Sequence, residues 1–94
     1  MAEVMVNFLG PLRLFLGEPS VIIEVDTVNQ ARKYIEKHYG PVFRKKLHSL
    51  GVKKEQSLWD HSLLLLNGRS LKKEDDPVLN DRDRLDLGLA IAGG

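Results

Sequence analysis

The sequence predicts an α+β fold in which a sheet packs on one principal helix, and three observations predict it. Segments near both ends alternate apolar and polar residues with the period of a strand. Thr27 and Gln30, at capping-box spacing, introduce a run with helical period, and Asn67-Gly68 sits where two apolar segments turn back on each other. A sheet with one apolar face must bury it, and one amphipathic helix is the layer this chain offers. Ninety-four residues make a single domain, 1–94, with one modest core.

The first strand is EVMVNF, with Val4, Val6 and Phe8 pointing one way and Met5 and Asn7 the other. Gly10 and Pro11 interrupt it, and LRLFLGEP supplies Leu12, Leu14 and Leu16 before Gly17 and Pro19 close the segment. VIIEV follows as a second strand, Val21, Ile23 and Val25 sharing a face, and the two strands pair as a hairpin joined by a loop. A helix starts at Thr27, with Val28, Ala31, Ile35 and His38 or Tyr39 on one side and Arg32, Lys33, Glu36 and Lys37 on the other. Gly40 is expected to end it as a left-handed cap, and Pro41 to open a second short helix that buries Val42, Phe43, Leu47 and Leu50 and stops at Gly51. In the loop that follows, Trp59 is expected to cover the edge of the core.

Leu63 to Leu66 read as a short buried strand, Asn67-Gly68 as a tight turn, and Ser70 and Leu71 as a brief returning strand. KKEDDPVLNDRD is a surface connection anchored by Val78 and Leu79. RLDLGLAIAGG is the last strand, with Leu85, Leu87, Leu89 and Ile91 on one face and Asp86, Gly88 and Ala90 on the other. Beyond it stand two glycines, which form neither a turn nor a helix cap there. They are a frayed end, a remnant of cloning, or a terminus that is itself the working part.

Hydrophobic content of 43% and charged content of 29% are those of a soluble globular protein. The absence of cysteine excludes disulfides, thiolate metal sites and cysteine nucleophiles, and suits a reducing, cytoplasmic setting. No apolar run is long enough to span a membrane, and no signal peptide is evident, so an intracellular protein without membrane contact is expected. The net charge of +1 is unevenly spread, basic between Arg32 and Lys54 and acidic between Glu74 and Asp86. Without interleaved aromatics the basic stretch lacks a stacking platform for nucleic acid, and it reads as solvated helix faces that orient a protein partner. His38, His48 and His61 have no zinc-like spacing, no serine sits in a nucleophile elbow, and no glycine-rich loop precedes a helix, so neither a metal site nor a classical enzyme is expected.

The element order, the Asn67-Gly68 hairpin, the NDRDRLDL approach to the final strand and the terminal GG together resemble the ubiquitin-like β-grasp proteins. Among these the chain is similar to the sulfur carriers typified by the small subunit of molybdopterin synthase and the thiamine sulfur carrier. The resemblance implies a mixed four- to five-stranded sheet on one main helix plus a short helix. Arg82 stands where the family often has glycine, and Leu89 to Ala92 replace the Phe-Pro-Pro type stretch of molybdopterin synthase small subunits. Length and the second helix favour the molybdopterin type over the thiamine type.

The resemblance further implies a flexible tail at about 91–94 whose end is a reagent, not a catalyst. Gly94 would be adenylated and converted to a thiocarboxylate, and Gly93 would be the unhindered neighbour that activation requires. Ala92 and Ile91 would thread the partner's channel. The implied partners are an adenylating, E1-like enzyme that uses ATP and the large subunit of molybdopterin synthase; no cofactor is bound by the chain itself. A covalent protein modifier, a thiamine sulfur carrier and a passive β-grasp interaction module are the alternatives.

Overall fold

The computed structural model describes residues 1–51 and 62–89. In order these form β1 (Ala2–Phe8), α1 (Pro11–Leu16), β2 (Ser20–Val25), α2 (Val28–Ser49), β3 (Ser62–Leu66), β4 (Arg69–Leu71) and β5 (Arg84–Leu89). The strands make one mixed sheet in the order β2-β1-β5-β3-β4. β5 lies at its centre, parallel to β1 and antiparallel to β3. The two alternating segments of the sequence therefore run side by side, and their inward residues Val4, Val6, Phe8, Leu85 and Leu87 are fully buried beneath α2 together with Val28, Ala31 and Ile35. Each such side chain contributes about 1.5–3 kcal/mol relative to exposure, which pins the middle of the sheet.

The expected hairpin of β1 and β2 forms, with Met5 opposite Ile22 and Val4 opposite Ile23. Its connection holds α1, a helix that strand-like alternation concealed. Pro11 occupies the first turn, Gly17 closes it at φ 76°, and Leu12 and Leu16, one turn apart, are buried. Leu14, the middle member of the apparent alternation, is 78% exposed. Helical spacing, not a period of two, decides which leucines reach the core.

α2 starts at Thr27 as expected. Thr27 Oγ1 accepts from the Gln30 amide, while Gln30 Oε1 accepts from the Asp26 amide, one residue before the cap. The Val28 amide donates to the Pro77 carbonyl and the Asn29 amide to Asp76 Oδ1, so the first three helical amides all find partners. Gly40 does not end the helix, and no separate helix begins at Pro41. Both lie inside a continuous 22-residue α2 that runs to Ser49, and Gly51 follows at φ 89°. Phe43 is 1% exposed with its ring 6.0 Å from Phe15 on α1, and Leu47 packs on the core. Burying these groups offsets the hydrogen bond that proline forgoes, a cost of about 3 kcal/mol in a helix interior.

Gly40 has another role. A Cβ there would lie 2.6 Å from Glu36 Oε1 and 3.1 Å from Arg44 Nη1, so the missing side chain lets this ion pair close across two helical turns. Val42 and Leu50, expected to be inward, are exposed.

Asn67 and Gly68 turn at φ 50° and 87°, as the tight hairpin requires. Asn67 also grips the start of β5: its Oδ1 accepts from the Arg84 amide and its Nδ2 donates to Asp83 Oδ1. Leu79 is buried, whereas Val78 is 71% exposed and bridges Thr27 through the backbone. Trp59 lies outside the described residues.

Candidate functional site

The end singled out by the sequence, Ile91, Ala92, Gly93 and Gly94, lies outside the described residues, and the structure supplies the base from which it departs. β5 carries the chain out through the middle of the sheet. Leu87 is buried, its carbonyl accepts from the Leu9 amide at 2.8 Å, and Leu89 packs against the core. Strand partners on both sides hold the strand to this point: Leu87 beside Phe8 on β1, and Leu89 beside Ser62 on β3. A shallow depression of about 200 Å³ surrounds the exit, lined by Leu9, Pro11, Leu63, Leu65, Gly88 and Leu89. No charged side chain lines it among the described residues.

The depression opens onto the sheet face opposite α2. Period-two geometry places Met5, Ile22, Leu63 and Leu65 on this face with Asn7, Arg84, Asp86 and Gly88. Met5 is 43%, Ile22 58% and Leu63 50% exposed, an apolar surface larger than scattered single residues. Asp86 sits near its middle, accepting from Asn7 Nδ2 at 3.0 Å and lying 3.3 Å from Arg84 Nε. Sequence reading placed Met5 and Asp86 on the outward face, but the joining of these strands into one apolar field follows only from the strand order.

Several charges of the two uneven stretches have structural duties. Arg32 bonds Asn29 Oδ1 and the carbonyls of Asp75 and Lys72, tying the connection after β4 to α2. Asp75 and Asp83 accept amides within their own turns, Asp76 caps α2, and Asp81 accepts from the Glu3 amide. Lys33, Lys37, Lys45 and Lys46 are exposed along α2.

Burial, aided by the Glu18 carboxylate that accepts its hydroxyl at 2.7 Å, pushes Tyr39 up to about 12. The Tyr39 ring packs edge-on against Phe8, on the helix side of the sheet. His38 stacks on Tyr34 at 4.2 Å, His48 lies in the last turn of α2, and His61 is outside the described residues. Among the described residues no group of three metal-ligating side chains converges, and no helix is long and apolar enough to cross a membrane.

No family model matches the chain, and no curated protein matches it in sequence. Solved structures do match. The small archaeal modifier protein 1 from Methanosarcina acetivorans superposes with a TM-score of 0.70 at 22% identity, covering 100% of this chain and 98% of that one. Small archaeal modifier protein 1 from Haloferax volcanii gives 0.68 at 20% identity, covering 99% and 100%. A putative molybdopterin converting factor, subunit 1, from Pyrococcus furiosus gives 0.63 at 17% identity, covering 97% and 100%. The chain has the ubiquitin-like β-grasp fold, a mixed five-stranded sheet with one main helix and one short helix. The short helix is α1, before β2, not the segment after Pro41.

Proposed function

We propose that the protein is a sulfur carrier whose C-terminal Gly94 is adenylated by an E1-like enzyme and converted to a thiocarboxylate, with molybdopterin synthesis as the receiving pathway. The observation that carries this reading is a central strand that delivers the chain beside an open apolar face, with three residues between its end at Leu89 and the Gly93-Gly94 pair. A terminal carboxyl group ordinarily ionises near pH ~3.5, so at neutral pH it is a carboxylate nucleophile. One carboxylate oxygen forms a bond to the α-phosphorus of ATP, and pyrophosphate leaves. A sulfur nucleophile from a donor protein then attacks the acyl carbon and AMP departs, carrying away the oxygen that had joined phosphorus. The attacking atom is the outer sulfur of a donor persulfide, so the product is an acyl disulfide; a reducing thiol attacks its donor-side sulfur, forms a disulfide there and releases the thiocarboxylate for the large subunit of molybdopterin synthase.

Gly93 and Gly94, lacking Cβ, fit a narrow channel and take backbone angles closed to other residues. Ala92 and Ile91 follow them into the channel. The chain contributes no catalytic side chain in this scheme, and ATP belongs to the partner. The five residues from the end of β5 at Leu89 to Gly94 span at most about 17 Å, so the body must dock closely, and the apolar surface around Leu9 and Leu63 is the contact that permits it.

A covalent modifier, attached through Gly94 to lysines of other proteins, is the second reading, favoured by the likeness to two small archaeal modifier proteins. Deleting Gly94, or replacing Gly93 by a bulky residue, should abolish ATP–pyrophosphate exchange with the activating enzyme and leave the melting curve unchanged. Exchange that persists without Gly94 rejects both readings. Intact mass of the protein from its native cell separates them. A gain of about 16 Da, sulfur for oxygen, marks the carrier, and Gly-Gly remnants on other proteins' lysines mark the modifier.

A further inference from the structure

The open face has a second end, remote from the exit. There Met5 and Ile22 floor a cavity of about 440 Å³ whose walls are Glu3, Asn67, Arg82 and Arg84. Two of these walls carry guanidinium groups and one a carboxylate; Asp86 meets Arg84 from outside the lining, so Arg82 supplies the cationic charge that has no ion pair among the described residues.

Arg82 stands out in its backbone. It and Asn67 are the described non-glycine residues with positive φ, and Asn67 belongs to a type of residue that tolerates it. At φ 71° an arginine carries a backbone cost that glycine would escape, and such outliers cluster at working surfaces. The turn is held from both sides: the Arg82 amide donates to the Glu3 carbonyl at 2.9 Å, and Asp81 Oδ1 accepts from the Glu3 amide. The flanking acids are thus engaged with amides and with Asn67, and Arg82 makes no ion pair among the described residues. Arg84 is 53% exposed and meets Asp86 through Nε, so its two terminal nitrogens have no partner among the described residues.

We propose that Arg82 and Arg84, above the apolar floor of Met5 and Ile22, form a cationic docking point that recognises a carboxylate side chain on the activating enzyme. The inference rests on the reading given under Proposed function and adds to it the charge of the surface the enzyme presents. From Arg84 to Leu89 is five strand steps, about 17 Å, so a protein that covers the apolar face while drawing in the chain end reaches both sites. An aspartate or glutamate beside an apolar side chain matches the cavity: the acid accepts from the guanidinium groups and the apolar group rests on Met5 and Ile22. A guanidinium presents paired donors to a carboxylate, which an ammonium does not.

Isothermal titration of the purified activating enzyme into the full chain, without ATP, reads this contact directly. Arg82→Gly keeps the left-handed backbone and should raise Kd about threefold, while Arg82→Glu, which turns attraction into repulsion, should raise it about tenfold or more. Arg82→Lys, which keeps the charge and loses the paired donors, should bind between wild type and Arg82→Gly, and the loss in Arg82→Glu should shrink as salt increases. The kcat of pyrophosphate exchange at saturating protein should be the same in all four. Wild type that binds while Arg82→Glu binds equally well overturns this inference alone. An enzyme that neither binds nor adenylates the wild-type chain overturns the carrier reading and this inference with it.

Discussion

Tyr39 joins two elements with one side chain. Its ring packs edge-on against Phe8 at 5.1 Å, and its hydroxyl donates to Glu18, which lies between α1 and β2. Replacing it with phenylalanine keeps the ring and removes the hydrogen bond, so Tyr39→Phe should destabilise by about 0.5–1 kcal/mol at neutral pH. The phenol is pushed up to about 12 in the folded chain, by burial first and Glu18 second, against an ordinary 10.0. A raised folded value means the native state holds the proton more tightly. The stabilisation is therefore complete below pH ~10 and is lost as pH rises toward 12. Urea denaturation at pH 8 and pH 11.5 checks the sign: the advantage of wild type over Tyr39→Phe should shrink or reverse at the higher pH. A wild-type advantage that grows with pH contradicts the assignment. Arg82 makes a related point about legibility, because the sequence showed an arginine there, whereas its φ of 71° and its lack of an ion pair among the described residues required the fold.

At the scale of elements, reading by period succeeded wherever a segment had one buried face and a sufficient length. β1, β2 and β5 and the start of α2 follow their patterns because Val4, Val6, Phe8, Leu85 and Leu87 leave the core no alternative register. It failed at α1, where six residues allow both a period of two and a spacing of four, and the pair Leu12–Leu16 satisfies either. It failed again at Gly40-Pro41, since local signals for a helix end are strong but Phe43 and Leu47 gain more by continuing. The interruption is then a standing cost to α2. The amide that Pro41 lacks would face the carbonyl four residues earlier, that of Lys37, and Pro41 itself is exposed. Pro41→Ala should accordingly stabilise the protein by about 1–3 kcal/mol in urea denaturation without changing the m-value. Destabilisation instead would mean that the fixed φ of Pro41 serves the packing of Phe43 on Phe15.

For the whole molecule, the informative asymmetry is between the two faces of one sheet. The face under α2 is closed by fully buried side chains, and the opposite face leaves Met5, Ile22 and Leu63 about half exposed around a strand whose end departs nearby. This much of the site was half visible in the sequence: the terminal glycines and the apolar strand before them could be read directly, but the neighbours of that strand come from chain segments as distant as Leu9 and Leu63. A surface that stabilised only the fold would be insensitive to substitution at its exposed positions, and one that seats an enzyme would not. Leu63, opposite Gly88 and half exposed, separates the cases. Leu63→Ser forfeits about half of a leucine's burial, so it should cost about 0.8–1.5 kcal/mol in stability. If the open face is where the activating enzyme rests, the same substitution should raise the KM for the protein in pyrophosphate exchange about tenfold and leave kcat within about twofold, because the contact is made equally before and during adenylation. An unchanged KM with wild-type stability would move the docking site off this face and leave the charged surface of α2 to be tested next.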